Sequence, residues 1–338
     1  VSALAAAILG CSGPRLLPQE RDFFAEAPPW GFILFARNVE EPGQLAALTA
    51  DMRAAVGREA PILIDQEGGR VQRMRPPHWR LWRPPLEQMH AAEGLENAAR
   101  AMFLRHRLIA EELRAVGIDV NCAPTADLAR PETHSFLRNR CFGEDVASVV
   151  TGARAAAEGL MAGGVLPVIK HIPGHGRARL DSHLALPVVE ADAAALRAED
   201  FAPFKALADL PLAMTAHLKY LAFDAERPAT QSPEMISLIR QEIGFDGLLM
   251  SDDLSMEALD GGVAERSAAS IAAGCDLVLH CNGEMGEMEA VIGAAGALEG
   301  RALDRANSAL DRRSAAQAID ILAVEEELRI LLGGEVYG

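Results

Sequence analysis

Cysteine is scarce and shows no pairing pattern: the 338-residue chain holds five, Cys11, Cys122, Cys141, Cys275 and Cys281, with no C-x-x-C spacing. An odd set without such pairs excludes a disulfide framework or a cysteine-based structural zinc site and fits a reducing, cytoplasmic compartment. Long apolar runs are absent too; none approaches the roughly 20 residues that a membrane-spanning helix requires. Positive charge is in deficit, with 32 Lys and Arg against 48 Asp and Glu, a formal net charge of −16. Such a field repels phosphate backbones and anionic headgroups, which removes nucleic acid and membrane surfaces as partners. Aromatic residues are only 5% of the chain, yet half of it is apolar and 24% charged, a balance too apolar for disorder. No Ser/Gly-rich linker, internal repeat or low-complexity tract divides the chain. A single domain over residues 1–338 is therefore expected, as a monomer with a dimer as the alternative.

What is present is an alternation of short Ile/Leu/Val runs with longer Ala/Leu/Glu segments of helical period, the pattern of βα repeats. Eight candidate strands follow: Ala5–Leu9, Gly31–Phe35, Pro61–Asp65, Ile118–Ala123, Val165–His171, Leu212–His217, Gly247–Asp252 and Asp276–Cys281. The predicted helices between them include Gln44–Val56, Ala98–Val116, Ala147–Met161, Ala191–Leu207, Pro233–Ile243 and Met256–Ala273, and about Leu303 to Leu332 reads as helices packed outside. Eight parallel strands with crossover helices close into a (β/α)₈ TIM barrel. An open doubly wound sheet would carry a Gly-rich nucleotide loop, and Gly68-Gly69 matches neither G-x-G-x-x-G nor the P-loop. Ile8-Leu9-Gly10-Cys11 resembles a lipoprotein cleavage box, but no Lys or Arg precedes it and the apolar stretch is short, so a buried first strand is expected.

A barrel places its chemistry at the C-terminal ends of strands. Polar groups collect there: Asp65-Gln66-Glu67, Lys170-His171, His217 and Ser251-Asp252-Asp253 each close an apolar run. The segment Lys170–Pro187, KHIPGHGRARLDSHLALP, is a loop by its Pro173, Gly174 and Gly176, and carries His171, His175 and His183. In an extended segment Asp181 and His183 point the same way, so the carboxylate can orient the imidazole. The alternative chemistry is a metal site using His171, His175 and His183 with Asp181. Against it, Pro173-Gly174 keeps His171 and His175 off a shared helix face.

DQEGGRVQR at 65–73, KHIPGHG at 170–176, DSH at 181–183 and SDDLSM at 251–256, in that order, resemble family 3 glycoside hydrolases. The closer resemblance is to the bacterial β-N-acetylglucosaminidases of peptidoglycan recycling, over essentially the whole chain. It implies a single (β/α)₈ barrel, a retaining exo-glycosidase acting on small cell-wall glycan fragments, and no cofactor or metal. It further implies Asp252 as nucleophile with Asp253 a non-catalytic neighbour, and His183 as general acid/base paired with Asp181. Asp65, Arg73, Arg140, Lys170 and His171 would bind the sugar, with Arg138 competing for the place of Arg140. His175 would be structural, and His217 either lines the pocket or is a hydrogen-bonded core residue. Ile172 stands where the family more often has Phe. Two other enzyme readings remain, a family 3 β-glycosidase without acetamido preference and the metal-dependent barrel hydrolase; a non-catalytic sugar-binding barrel is the third.

Overall fold

The structure, a computed structural model, describes residues 3–180 and 186–338. Eight parallel strands form a closed barrel: β1 (Ala5–Leu9), β2 (Pro29–Leu34), β3 (Ile62–Ile64), β4 (Val120–Asn121), β5 (Leu166–Ile172), β6 (Leu212–Thr215), β7 (Leu248–Asp253) and β8 (Leu277–His280). Each pairs with its sequence neighbours, and β1 closes the ring on β8 with Leu9 opposite His280. Along β5 to β7 the two-residue side-chain period is visible in the packing. Val168, Leu212, Met214, Leu248 and Met250 join the central core, while the intervening Ile169, Ala213 and Leu249 pack with Phe204, Leu207 and Ile239 under the helices. Strands buried on both faces read as continuous apolar runs, which is why periodicity located them.

Ala5–Leu9 is the first barrel strand and fully buried, as the apolar start of the chain implied, and all five cysteines are buried free thiols. The helices Pro42–Val56, Gly94–Ala115 and Val146–Ala162 fall where expected. Three predicted helices change. Met256–Ala273 begins only at Val263, because Gly261 takes a left-handed φ of 82° and Glu265 accepts the Gly262 N–H at 3.0 Å, so the chain turns before the helix starts. Ala191–Leu207 breaks into Ala193–Ala195, a π turn over Leu196–Asp200 and Ala202–Ala206, where Pro203 sits in a new first turn. Pro233–Ile243 ends in a π turn that stops at the left-handed Gly244.

The C-terminal region forms two helices, Gly300–Asp311 and Ile321–Leu331. The second docks on Gly94–Ala115 through buried Leu328 and an Arg100–Glu327 pair at 2.7 Å. No helix among the described residues is long and apolar enough to cross a membrane.

Candidate functional site

All eight strands run in one direction, so their C-terminal ends share one mouth, and a pocket opens there. Asp65, Arg73, Arg140, Lys170, His171 and Asp252 form its polar side; Phe35, Met214, Met256, Leu279 and Cys281 form an apolar wall.

Asp65 follows β3 directly, and the chain then folds back as a tight antiparallel pair, Gln66–Gly68 with Val71–Gln72. The turn needs glycine: Gly68 has φ of 107°, and a Cβ there would lie 2.7 Å from the Arg83 carbonyl oxygen. The Gln66 side chain ties the return strand, accepting from the N–H groups of Arg73 and Met74 at 3.0 and 3.1 Å. Arg73 is thereby brought beside Asp65, its Nη2 2.8 Å from Oδ2. The eight-residue spacing in DQEGGRVQR is the length of this excursion.

Lys170, near the end of β5, is 2% exposed and lies between two carboxylates, 2.8 Å from Asp65 Oδ1 and 2.6 Å from Glu67 Oε1. Arg140 donates twice to Glu67, both at 2.9 Å. The competing Arg138 turns away to Glu144, at 2.5 Å, and lies outside the pocket lining. Burial alone would favour the neutral acids. Lys170 and Arg73 nonetheless hold the Asp65 carboxyl well below the usual range, and Arg140 and Lys170 bring Glu67 down to about 2. Burial likewise disfavours the Lys170 ammonium, and Asp65 and Glu67 together push it above the ordinary lysine value. The basic residues are therefore not a bare cationic patch but a paired lattice with the two acids.

His171 donates or accepts at Nδ1 with Asp127 Oδ2 at 2.8 Å, and the His175 N–H reaches Asp127 Oδ1 at 2.6 Å. The His175 ring stands edge-on to Phe136 and to His171. His217 is fully buried and does not line the pocket; it is held by Thr230 Oγ1 at 2.8 Å and the Asp253 carbonyl oxygen at 3.1 Å. It takes the hydrogen-bonded core position of the two readings left open for it.

The two adjacent aspartates of SDD differ sharply. Asp253 is consumed locally: Oδ1 accepts from the N–H groups of Ser255 and Cys281, and Oδ2 from the Ser255 hydroxyl at 2.6 Å. Among the described residues Asp252 accepts one hydrogen bond, from the Asp253 N–H at 2.8 Å, and has no salt bridge. Burial opposes its ionisation, but His171, His217, the Asp253 N–H and Lys170 together leave it below the usual carboxylate value. Among the described residues, then, Asp252 is the pocket carboxylate held neither by a cation nor, like Asp253, by the turn after β7.

Asp181 and His183 lie outside the described residues. Among the described residues no group of three or more His, Cys, Asp or Glu is placed to hold a metal ion. Sequence alone gives Glu67 and Asp127 no role of their own: Glu67 lies in the hairpin beyond β3, and Asp127 lies beyond the end of β4. Glu67 falls inside a motif where Asp65 takes the attention. Asp127 is hidden because β4 stops at Asn121 and the chain runs on through Pro124 before the carboxylate arrives.

The sequence model of the glycosyl hydrolase family 3 N-terminal domain matches residues 24–312. A β-hexosaminidase from Alkalilimnicola ehrlichii is 41% identical over 285 residues, 81% of this chain and 80% of that one. Another from Stenotrophomonas maltophilia is 38% identical over 306 residues, 88% of each. Native NagZ from Neisseria gonorrhoeae superposes with a TM-score of 0.86 at 29% identity, over 98% of both chains. The same protein in complex with N-trifluoroacetyl-D-glucosamine gives 0.85 at 30% identity, again over 98% of both. With the match running from the second barrel strand to past the last, this chain belongs to glycoside hydrolase family 3.

Proposed function

We propose that this β-N-acetylhexosaminidase is a retaining exo-enzyme that removes terminal N-acetylglucosamine from peptidoglycan fragments containing 1,6-anhydro-N-acetylmuramic acid, with or without peptide, in the cytoplasm. The observation that carries the mechanism is the contrast between carboxylates: Asp65 and Glu67 are each bound to two cations, while Asp252 faces the pocket with, among the described residues, a single backbone N–H on it. A carboxylate in that state can attack the anomeric carbon, form a glycosyl ester as the leaving oxygen departs, and be released when water attacks the same carbon. Two displacements at one carbon retain its configuration.

Around the nucleophile the paired lattice supplies hydroxyl recognition. Asp65 accepts from sugar hydroxyls, while Lys170, Arg73 and Arg140 donate to them through charge-assisted bonds, and His171 closes the same side. Because the salt bridges already fix these groups, little reorganisation is needed when a sugar enters. An acetamido sugar fits the relatives, one of which is described in complex with N-trifluoroacetyl-D-glucosamine. The anhydromuramic aglycone, the cytoplasmic setting and the working of the chain as one catalytic domain rest on the sequence resemblance. The scheme calls on no cofactor.

His183, paired with Asp181, is the proton carrier in this reading, on the strength of the DSH motif. Histidine titrates near neutrality, so it can protonate the leaving oxygen and then take a proton from water without a large shift. His183→Ala is expected to slow substrates with poor leaving groups by about 10²-fold while affecting activated aryl glycosides far less, since only the former need the proton. Equal slowing of both, measured as kcat/KM across a leaving-group series, assigns the acid elsewhere.

The direct test is trapping with a 2-acetamido-sugar fluoride that carries a second fluorine on the ring at C5, which slows hydrolysis of the glycosyl ester, followed by peptide mapping. A label on Asp252, with the β-anomer as the first product of normal turnover, is the expected result. A label on another residue, or an α-anomer as first product, overturns the mechanism.

A further inference from the structure

We propose that Asp127 is a positioning residue of the sugar pocket: it fixes His171 in the tautomer whose Nε2 faces the substrate as a hydrogen-bond acceptor, and it pins the loop that leaves the pocket at His175. This rests on the reading of the pocket as the glycoside site. Asp127 follows β4, is 1% exposed and does not line the pocket itself. Its carboxylate gathers three nitrogens: His171 Nδ1 at 2.8 Å, the His171 N–H at 3.3 Å and the His175 N–H at 2.6 Å.

An ionised carboxylate can only accept, so Nδ1 carries the proton in that contact. On the far side of the ring, Nε2 lies 3.4 Å from Arg140 Nη2, a group that can only donate. Arg140 cannot turn its donors away, because two of them are committed to Glu67. A proton on Nε2 would oppose the guanidinium N–H, whereas a lone pair is compatible with it. The imidazole is thus bracketed by an acceptor and a donor, and one neutral tautomer satisfies both.

The consequence is specific recognition. Lys170, Arg73 and Arg140 offer only donors, so hydroxyl protons of a bound sugar need acceptors; the pocket supplies them at Asp65 and at His171 Nε2, whose one lone pair a hydroxyl takes over from the long 3.4 Å Arg140 contact. Asp127 also couples this contact to the backbone at His175, where the chain leaves the pocket in a loop that precedes Asp181 in the sequence. One carboxylate therefore sets an acceptor in the pocket and the origin of that loop.

The test is nitrogen NMR of the full chain with labelled histidine at pH 7.5, the His171 signals being assigned by their loss in His171→Gln. In the wild type His171 is expected as the Nδ1–H tautomer. In Asp127→Asn, which keeps an oxygen for the His175 N–H but turns an amide N–H toward Nδ1, the proton is expected to move to Nε2. With that switch kcat/KM on an aryl N-acetyl-β-glucosaminide is expected to fall about 10- to 100-fold, the range for a polar contact set in the wrong sense. A wild-type His171 protonated on Nε2, alone or with Nδ1, overturns the proposal, and this measurement needs no variant to fold. An unchanged tautomer in Asp127→Asn, or a switched tautomer with unchanged kcat/KM, overturns it equally. The tautomer is read without substrate, so a wild type inactive on hexosaminides would defeat the functional reading while leaving the Asp127–His171 result to stand or fall by itself.

Discussion

Asp252→Ala is expected to lower kcat/KM on an aryl N-acetyl-β-glucosaminide by at least about 10⁴-fold, because without a nucleophile no covalent route is left. Stability should change little. Asp252 is half-buried and, among the described residues, accepts one hydrogen bond, from the next backbone N–H, so its removal strands no described cation. That separates it from Asp65 and Glu67, whose loss would leave buried Lys170 and Arg140, or half-buried Arg73, short of a partner. The same truncation opens a small space at the pocket floor that an azide ion can enter. Attack by azide on the anomeric carbon, opposite the departing aryloxide, is a single displacement, so the expected product of rescue is the α-glycosyl azide. Full residual activity in Asp252→Ala, or a β-azide product, would remove Asp252 from the role.

Which of Asp252 and Asp253 the proposed mechanism should use is a question that residue order alone could not answer. Both follow the same apolar strand, and the resemblance chose between them by position in a motif. The structure supplies a physical reason, since Asp253 spends both oxygens on the turn that follows β7. The barrel itself was legible because its strands are buried on both faces, so short Ile/Leu/Val runs stand out between amphipathic helices. Helix limits were less so wherever a single residue's conformation decides them, as at Gly261 and Pro203. Of the pocket residues, Asp65, Lys170, His171 and Asp252 were legible as strand-end polarity, while Arg73 and Arg140 came from the resemblance alone. What composition could not carry is pairing: the local excess of Arg73, Arg140 and Lys170 looks basic in sequence, and only the fold of the 65–73 hairpin and of the segment holding Arg140 sets Asp65 and Glu67 against them. Asp127 escaped for the same reason, since its partners are a side chain and two backbone groups more than 40 residues away.

Lys170→Met carries the second large effect, on activity and stability together. Methionine matches the stem of lysine in length, so the change deletes a charge with little change in packing. Two carboxylates then lose their shared cation, Asp65 keeping Arg73 and Glu67 keeping Arg140. The loss of one partner from a buried ionic group costs about 3 kcal/mol, equivalent to roughly 4 °C in Tm for a chain of this length. Its dependence on pH follows from the directions of the shifts. Asp65 and Glu67 are depressed in the folded protein, Glu67 to about 2, so their contribution is present above the unfolded carboxylate values near pH 4 and is lost as the pH falls toward the folded ones. Lys170 is raised, so its contribution is complete below the unfolded lysine value near pH 10 and fades only above it. The stability gap between wild type and Lys170→Met should therefore be widest from about pH 5 to pH 10 and narrower at pH 3. Because the variant removes a charge-assisted donor and loosens the acids that orient Arg73 and Arg140, kcat/KM should fall by about 10³-fold. Thermal unfolding at pH 3 and pH 7, set beside steady-state kinetics at pH 7, checks both parts. A gap independent of pH would mean that the stem of Lys170, not its charge, holds the site, and unchanged kinetics would take Lys170 out of the sugar frame.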